Sequence, residues 1–200
     1  MVASIQPQFN LTWLTFFIIT ATGFGILCWL VQSSPRFNLV EQQIQERLIH
    51  QQNHWWWRSI AVVFDPKTIV GWDFLLAAYL LVHGRVERAV YVLAMLATVD
   101  AFGILIKHMI KRQRPITFNQ LTQTYSFPSG HTLGTTMMAL MMSQLFSQPV
   151  MISLVWIAWG LVIICRLTLR AHYPADVGGA VLLAVSWWIG GDLIYLLIMR

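Results

Sequence analysis

The sequence predicts an all-α fold: a polytopic membrane helical bundle of six transmembrane helices, with an amphipathic interfacial helix between the first and second spans. Three observations lead there. Of 200 residues, 57% are hydrophobic and only 10% carry charge, whereas a typical soluble domain is about 25% charged. Apolar runs long enough to cross a bilayer recur along the chain. The cations gather at the ends of those runs instead of forming a solvated stripe.

Taken in order, Leu11–Val31 contains no charged residue and as a helix can cross a hydrocarbon core of about 30 Å. Residues 1–10 hold no Lys or Arg, and the apolar core is too long for a secretory signal, so this helix is expected to be retained. Segment 36–58 is polar, yet Phe37, Val40, Ile44 and Leu48 follow helical spacing, with Glu41, Gln45, Glu46 and Arg47 between them. It is expected to lie on the bilayer and to end in Trp55-Trp56-Trp57, because tryptophan favours the headgroup region. Further spans are expected over Thr68–Val82, Val90–Ile106, Thr132–Phe146, Val150–Cys165 and Val177–Met199. Asp100, two helical turns before Lys107, is expected to face the bundle interior. Cys28 and Cys165 both fall inside apolar spans and read as small buried side chains, not a disulfide pair. No repeat is visible. Residues 1–200 are expected to form a single integral-membrane domain.

Six spans place the connections alternately on two faces, and segments 33–67, 107–130 and 166–176 share one of them. Three polar clusters lie there. Lys107 and Arg114-Pro115 are seven positions apart, so on a continuous helix they share a face about 10 Å apart. Arg offers a planar fork for phosphate oxygens and Lys a point charge. Phe127-Pro128-Ser129-Gly130-His131 opens a span: Ser129 is a natural N-cap, Gly130 admits close approach, and free helix-start N–H groups favour phosphate. Arg166, His172 and Asp176 form the third cluster. Pro174 suits a helix start, and the Asp176 carboxylate one turn on can reach the His172 ring.

Each cluster alone has a bland reading: an interfacial basic patch, a helix cap with a chance histidine, a structural His–Asp pair. Together they specify a phosphate site. The formal charge of +5 does not point to nucleic acid, since the cations sit at membrane boundaries without interleaved aromatics.

The order and spacing of the clusters resemble the signature of the type-2 phosphatidic acid phosphatase superfamily, which also contains the vanadium haloperoxidases. Its pattern is Lys, six residues, Arg-Pro; then Pro-Ser-Gly-His; then Ser-Arg, five residues, His, three residues, Asp. Lys107, Arg114 and Pro115, then Pro128 to His131, then Arg166, His172 and Asp176 match it. Cys165 departs from the common Ser, and Arg170 stands where Gly is frequent. The resemblance implies a small bacterial membrane phosphatase. In it His172 attacks phosphorus to form a phosphohistidine, Asp176 orients the ring, and His131 protonates the leaving group and then activates water. Lys107, Arg114, Arg166 and the Ser129 and Gly130 amides would hold the equatorial oxygens.

No Asp/Glu/His/Cys cage remains for a divalent ion, so catalysis is expected to need no metal and no cofactor. The implied partners are the bilayer and a phosphorylated lipid: polyprenyl diphosphate, phosphatidylglycerophosphate or phosphatidate. Two further readings stay open, a lipid phosphotransferase using a hydroxyl acceptor and a non-catalytic lipid-binding protein. Arg170 is a candidate contact for a second phosphate. Ten of the 13 Lys and Arg fall on the site face, which by the positive-inside rule argues for the cytoplasm. Several are held there by chemistry, and the resemblance implies an extracytoplasmic site, which is the expectation.

Overall fold

Prolines punctuate the helices. The computed structural model describes residues 11–49, 54–115 and 125–198, and these form eight helices. Four of them begin on proline: α2 (Pro35–Leu48), α4 (Pro66–Val82), α7 (Pro149–Thr168) and α8 (Pro174–Ile198). There the missing N–H costs nothing and the fixed φ is already helical. Side-chain caps reinforce two of these starts. Ser34 accepts from the Phe37 amide at 3.3 Å and Asp65 from the Lys67 amide at 3.0 Å. The others are α1 (Leu11–Ser33), α3 (Trp55–Val63), α5 (Val86–Ile110) and α6 (Gly130–Leu145).

Helix α6 is the axis of the bundle, packed by α4, α5, α7 and α8. Leu133, Met137, Met141 and Leu145 are buried one turn apart along it. Its hydroxyls are satisfied within the protein: Thr135 and Thr136 donate to carbonyls one turn back, and Trp159 Nε1 donates to Thr136 Oγ1 at 2.9 Å. Two of the close approaches that glycine permits lie around α6 and Phe127. A Cβ on Gly103 of α5 would lie 2.5 Å from Leu133, and one on Gly179 of α8 would lie 2.6 Å from the Phe127 ring. The outer helices expose large apolar side chains, such as Phe16, Ile19 and Trp29 on α1 and Leu154 and Ile157 on α7. That distribution suits lipid.

Among the described residues, four helices are long and apolar enough to cross a membrane: Leu11–Ser33, Val86–Ile110, Pro149–Thr168 and Pro174–Leu196. The other two expected spans are short, 17 residues in α4 and 16 in α6. At 1.5 Å per residue α6 reaches about 24 Å, less than the about 30 Å of a hydrocarbon core. Both cysteines are free thiols. Met199 at the end of the last expected span, and residues 50–53 of the expected interfacial segment, lie outside the described residues.

Two expectations need correction. Segment 36–58 is not one helix: α2 stops at Leu48, Ile49 is extended, and the tryptophan run opens α3. Its packed face is also rotated from the expected one, since Phe37 packs inward but Val40 does not. Glu41 and Gln45 are buried while Leu39 and Val40 are more than half exposed, because α2 turns its polar side toward a polar site. Nor do Lys107 and Arg114 share a continuous helix. Helix α5 ends at Ile110 with Lys111 in the left-handed region (φ 53°), and residues 111–115 are irregular. Pro115 disfavours helical geometry at Arg114, and the unwound stretch lets Arg112 and Arg114 reach different partners.

Candidate active site

The C-terminal ends of α5 and α7 and the starts of α6 and α8 meet at one end of the bundle, under α2 and α3. There His172 is 1% exposed, in the turn between α7 and α8. Its Nδ1 lies 2.9 Å from the Ser126 carbonyl and 3.5 Å from Asp176 Oδ2. A carbonyl only accepts, so Nδ1 carries the proton and the shorter approach is the hydrogen bond. Nε2 then holds the lone pair, 3.3 Å from Arg114 Nη1. Burial, countered by Asp176 and reinforced by the Arg166 and Arg114 charges, pulls the ring down from 6.5 to about 3. His172 is therefore neutral at physiological pH.

Asp176 is fully buried in the first turn of α8. Its Oδ2 accepts from the Tyr173 amide at 2.9 Å, and its Oδ1 from Arg112 Nη1 at 2.7 Å. Its carbonyl accepts the Ser129 amide at 3.1 Å, which joins the starts of α8 and α6. This corrects one expectation: the Ser129 amide is already engaged. Ser129 Oγ caps Thr132, so the first-turn amides that remain without an intrahelical acceptor are those of Gly130 and His131. Gly130 is confined, since a Cβ there would lie 3.3 Å from Pro66 and 3.9 Å from Lys107 Nζ.

His131 faces the α3–α4 corner. Its Nε2 lies 3.1 Å from the Ala61 carbonyl, 3.4 Å from Arg166 Nη1 and 3.7 Å from Asp65 Oδ2. Arg166 is buried, and its Nε has no hydrogen-bond acceptor among the described residues. Arg114 Nη1 donates to the Ala171 carbonyl at 3.1 Å, and burial lowers its guanidinium pKa. Lys107 lies within electrostatic range of both Arg114 and Arg166. Three mutually repelling cations and an unanswered guanidinium N–H thus surround two histidines. Such a site is completed by an anion.

All eight site residues named from the sequence come together here: Lys107, Arg114, Ser129, Gly130, His131, Arg166, His172 and Asp176. Sequence reasoning missed Arg112, Glu41, Gln45, Asn38 and Ser126. The usable signal was the polar stripe Asn38, Glu41, Gln45 at helical spacing, on the same face as the basic segment 107–114. Cys165 donates to the Trp57 carbonyl at 3.1 Å. Arg170, at φ 51°, occupies a left-handed position natural for Gly. Its Nη2 reaches the Ile49 and Gln45 carbonyls at 3.1 and 3.5 Å. It closes the C-terminal end of α2. Asp100 interacts electrostatically with Lys107 and with Asp73 of α4.

A fold and a site of this kind define a class, and the PAP2 superfamily model matches residues 88–198. The chain belongs to the PAP2 superfamily. The decaprenylphosphoryl-5-phosphoribose phosphatases of two Mycobacterium tuberculosis strains are each 36% identical to it over 91 residues, 43% of this chain and 49% of theirs. The chain thus spans about half the length of these curated relatives. The crystal structure of a transmembrane PAP2-type phosphatidylglycerolphosphate phosphatase from Bacillus subtilis superposes with a TM-score of 0.76. That match covers 92% of this chain and 98% of the other at 17% identity, a likeness of fold.

Proposed function

We propose that the chain is a membrane phosphatase that hydrolyses a phosphate or diphosphate group on a lipid through a phosphohistidine on His172, without a metal. One observation carries the reading: the Nε2 of a neutral His172 lies 3.3 Å from Arg114, and Arg114 shares its surroundings with Arg166 and Lys107. In the first step Nε2 attacks phosphorus and the bond to the lipid oxygen breaks. That oxygen takes a proton from His131, which enters this step as the imidazolium once the anionic phosphate is bound beside it and leaves it as the neutral ring. In the second step His131 removes a proton from water, the hydroxide attacks phosphorus, and the N–P bond breaks to release inorganic phosphate. The three cations, with the Gly130 and His131 amides, stabilise the equatorial oxygens. The Ser126 carbonyl holds Nδ1–H, and the Asp176 carboxylate 3.5 Å from Nδ1 supports the imidazolium that forms.

The lipid assignment is supported by a groove of about 440 Å³ between α3, α4, α6 and α7, lined by Phe64, Ile69, Trp72, Thr135, Met142 and Trp159 among others. It begins one helical turn from His131, since Thr135 Oγ1 donates to the His131 carbonyl. His131 is the residue that protonates the leaving oxygen. The groove therefore lies on the side from which a lipid leaving group extends. Residues 1–200 are read as one domain with six spans; α4 and α6 cross despite their length because protein surrounds α6 and an even count keeps the three polar clusters together. The site is read as extracytoplasmic.

Purified protein should release inorganic phosphate from prenyl or diacylglycerol phosphates with EDTA present. Water-soluble phosphate esters should turn over far less efficiently. Loss of activity on chelation that returns with a divalent ion would overturn the metal-free step, and product carrying phosphate on an added alcohol would mark a transferase.

A further inference from the structure

A second charged chain reaches the His172 ring without lining the phosphate site. It begins on α2, where Glu41 is 6% exposed, passes through Arg112 at 9%, and ends on Asp176 at 0%. Arg112 Nη1 donates to Asp176 Oδ1 at 2.7 Å, and both Nη1 and Nη2 lie 3.5 Å from Glu41 Oε2. Nη2 also donates to Asn38 Oδ1 at 3.0 Å, and the guanidinium covers the Tyr173 ring at 4.3 Å. The same Glu41 oxygen accepts the Ala175 amide at 2.9 Å, in the first turn of α8. Next to it on α2, Gln45 donates to the His172 carbonyl at 3.0 Å. Helix α2 is thus fastened to the turn that bears His172 along its whole packed face, with Arg170 closing its C-terminal end.

A glutamate drawn out of water must be compensated. Burial raises the Glu41 pKa, while the Ala175 amide and Arg112 pull it back and Asp176 pushes it up. The charges around the pair are Arg112 from the 111–115 stretch and Asp176 from α8, with neutral Asn38 and Gln45 from α2. The arrangement has an electrostatic consequence. Arg112 alone, at 2.7 Å, would neutralise Asp176 and weaken its pull on the imidazole. Glu41 returns one negative charge to the group, so Asp176 is held by Arg112 and still faces Nδ1 as part of a net anion. That anion stabilises the positive ring formed when Nε2 takes the phosphoryl group.

We propose that Glu41 and Arg112 are positioning residues for phosphoryl transfer, Glu41 offsetting the Arg112 charge so that Asp176 acts fully on His172. The proposal rests on His172 as nucleophile. Glu41→Gln separates charge from capping, because the amide oxygen can still accept from the Ala175 N–H.

The test is single-turnover phosphorylation of purified wild type, Glu41→Gln, Arg112→Gln, the double variant and His172→Ala, with a labelled lipid phosphate and an alkaline quench. The amplitude counts folded sites and the rate reports the chemistry, so a folding defect cannot imitate the effect. Glu41→Gln should phosphorylate about tenfold more slowly, with KM within about twofold, and the double variant should be no slower than the worse single. A Glu41→Gln rate equal to wild type, or losses that multiply in the double variant, overturns the proposal and leaves Glu41 a helix cap. Absence of phosphoenzyme in wild type together with turnover by His172→Ala would instead remove the His172 assignment, and this proposal with it.

Discussion

The two ends of the bundle hold polar groups in opposite ways. At the far end, Tyr91 donates to Asp192 Oδ1 at 2.5 Å and Gln144 Nε2 donates to both Asp192 oxygens at 3.2 and 3.1 Å. Trp188 Nε1 then donates to Gln144 Oε1 at 3.0 Å. One carboxylate is answered by neutral donors from α5 and α6, and the cluster is closed. At the site end, cations gather, the Arg166 Nε lacks an acceptor, and the neutral His172 ring keeps a lone pair toward them. The closed network pins three helices. The open one needs a further charge to be complete, which is the mark of a binding site.

The comparison breaks most visibly at His172. His172→Ala should lower kcat by about 10⁴-fold or more, since the proposed nucleophile is lost, while the far end and its helices stay intact. A steady-state assay on protein of unchanged elution volume checks this.

The next effect is on stability. The unfolded chain protonates His172 below about 6.5, but the folded ring stays neutral to about 3. This contribution is fully present above pH 6.5 and is lost as pH falls from there toward 3, by up to a few kcal/mol. Thermal unfolding of wild type should drop over that window more steeply than that of His172→Gln. Parallel pH curves would contradict the buried neutral ring.

At the closed end, Asp192→Asn should cost about 1–3 kcal/mol of stability by leaving donors poorly matched. Its kcat/KM should stay within about twofold of wild type, as expected of a distant site without shared partners. A selective loss of turnover would show that the two ends communicate.

Arg170→Gly should do least. It relieves a left-handed backbone and gives up two bonds to α2 carbonyls, for a net change under about 1 kcal/mol. Monophosphate and diphosphate substrates should change by the same factor. A loss confined to diphosphates would restore Arg170 as a substrate contact.

Much of this was legible in the sequence, for physical reasons. Pro35, Pro66, Pro149 and Pro174 mark helix starts, Ser129 marks another, and the spacing of the three clusters brought all eight site residues to one end. What stayed hidden is the rotated face of α2, where Phe37 packs inward as its spacing predicts but Glu41 and Gln45 are buried beside it. A helix lying on a bilayer turns its polar residues to water, yet here Glu41 and Gln45 meet a polar site inside the bundle and Leu39 and Val40 turn outward. The end of α5 was equally opaque: the left-handed Lys111 has no residue-level signature, so the separate targets of Arg112 and Arg114 could not be read from a helix drawn through both.

The central claim, that His172 carries the phosphoryl group, is tested most directly by trapping it. A phosphoramidate survives alkali and hydrolyses in acid, so labelled enzyme quenched in alkaline detergent and mapped by peptide mass should show phosphate on His172. The same label should vanish on brief acid treatment and be missing from His172→Ala. Label on any other residue, or turnover by His172→Ala at a rate comparable to wild type, would contradict the mechanism.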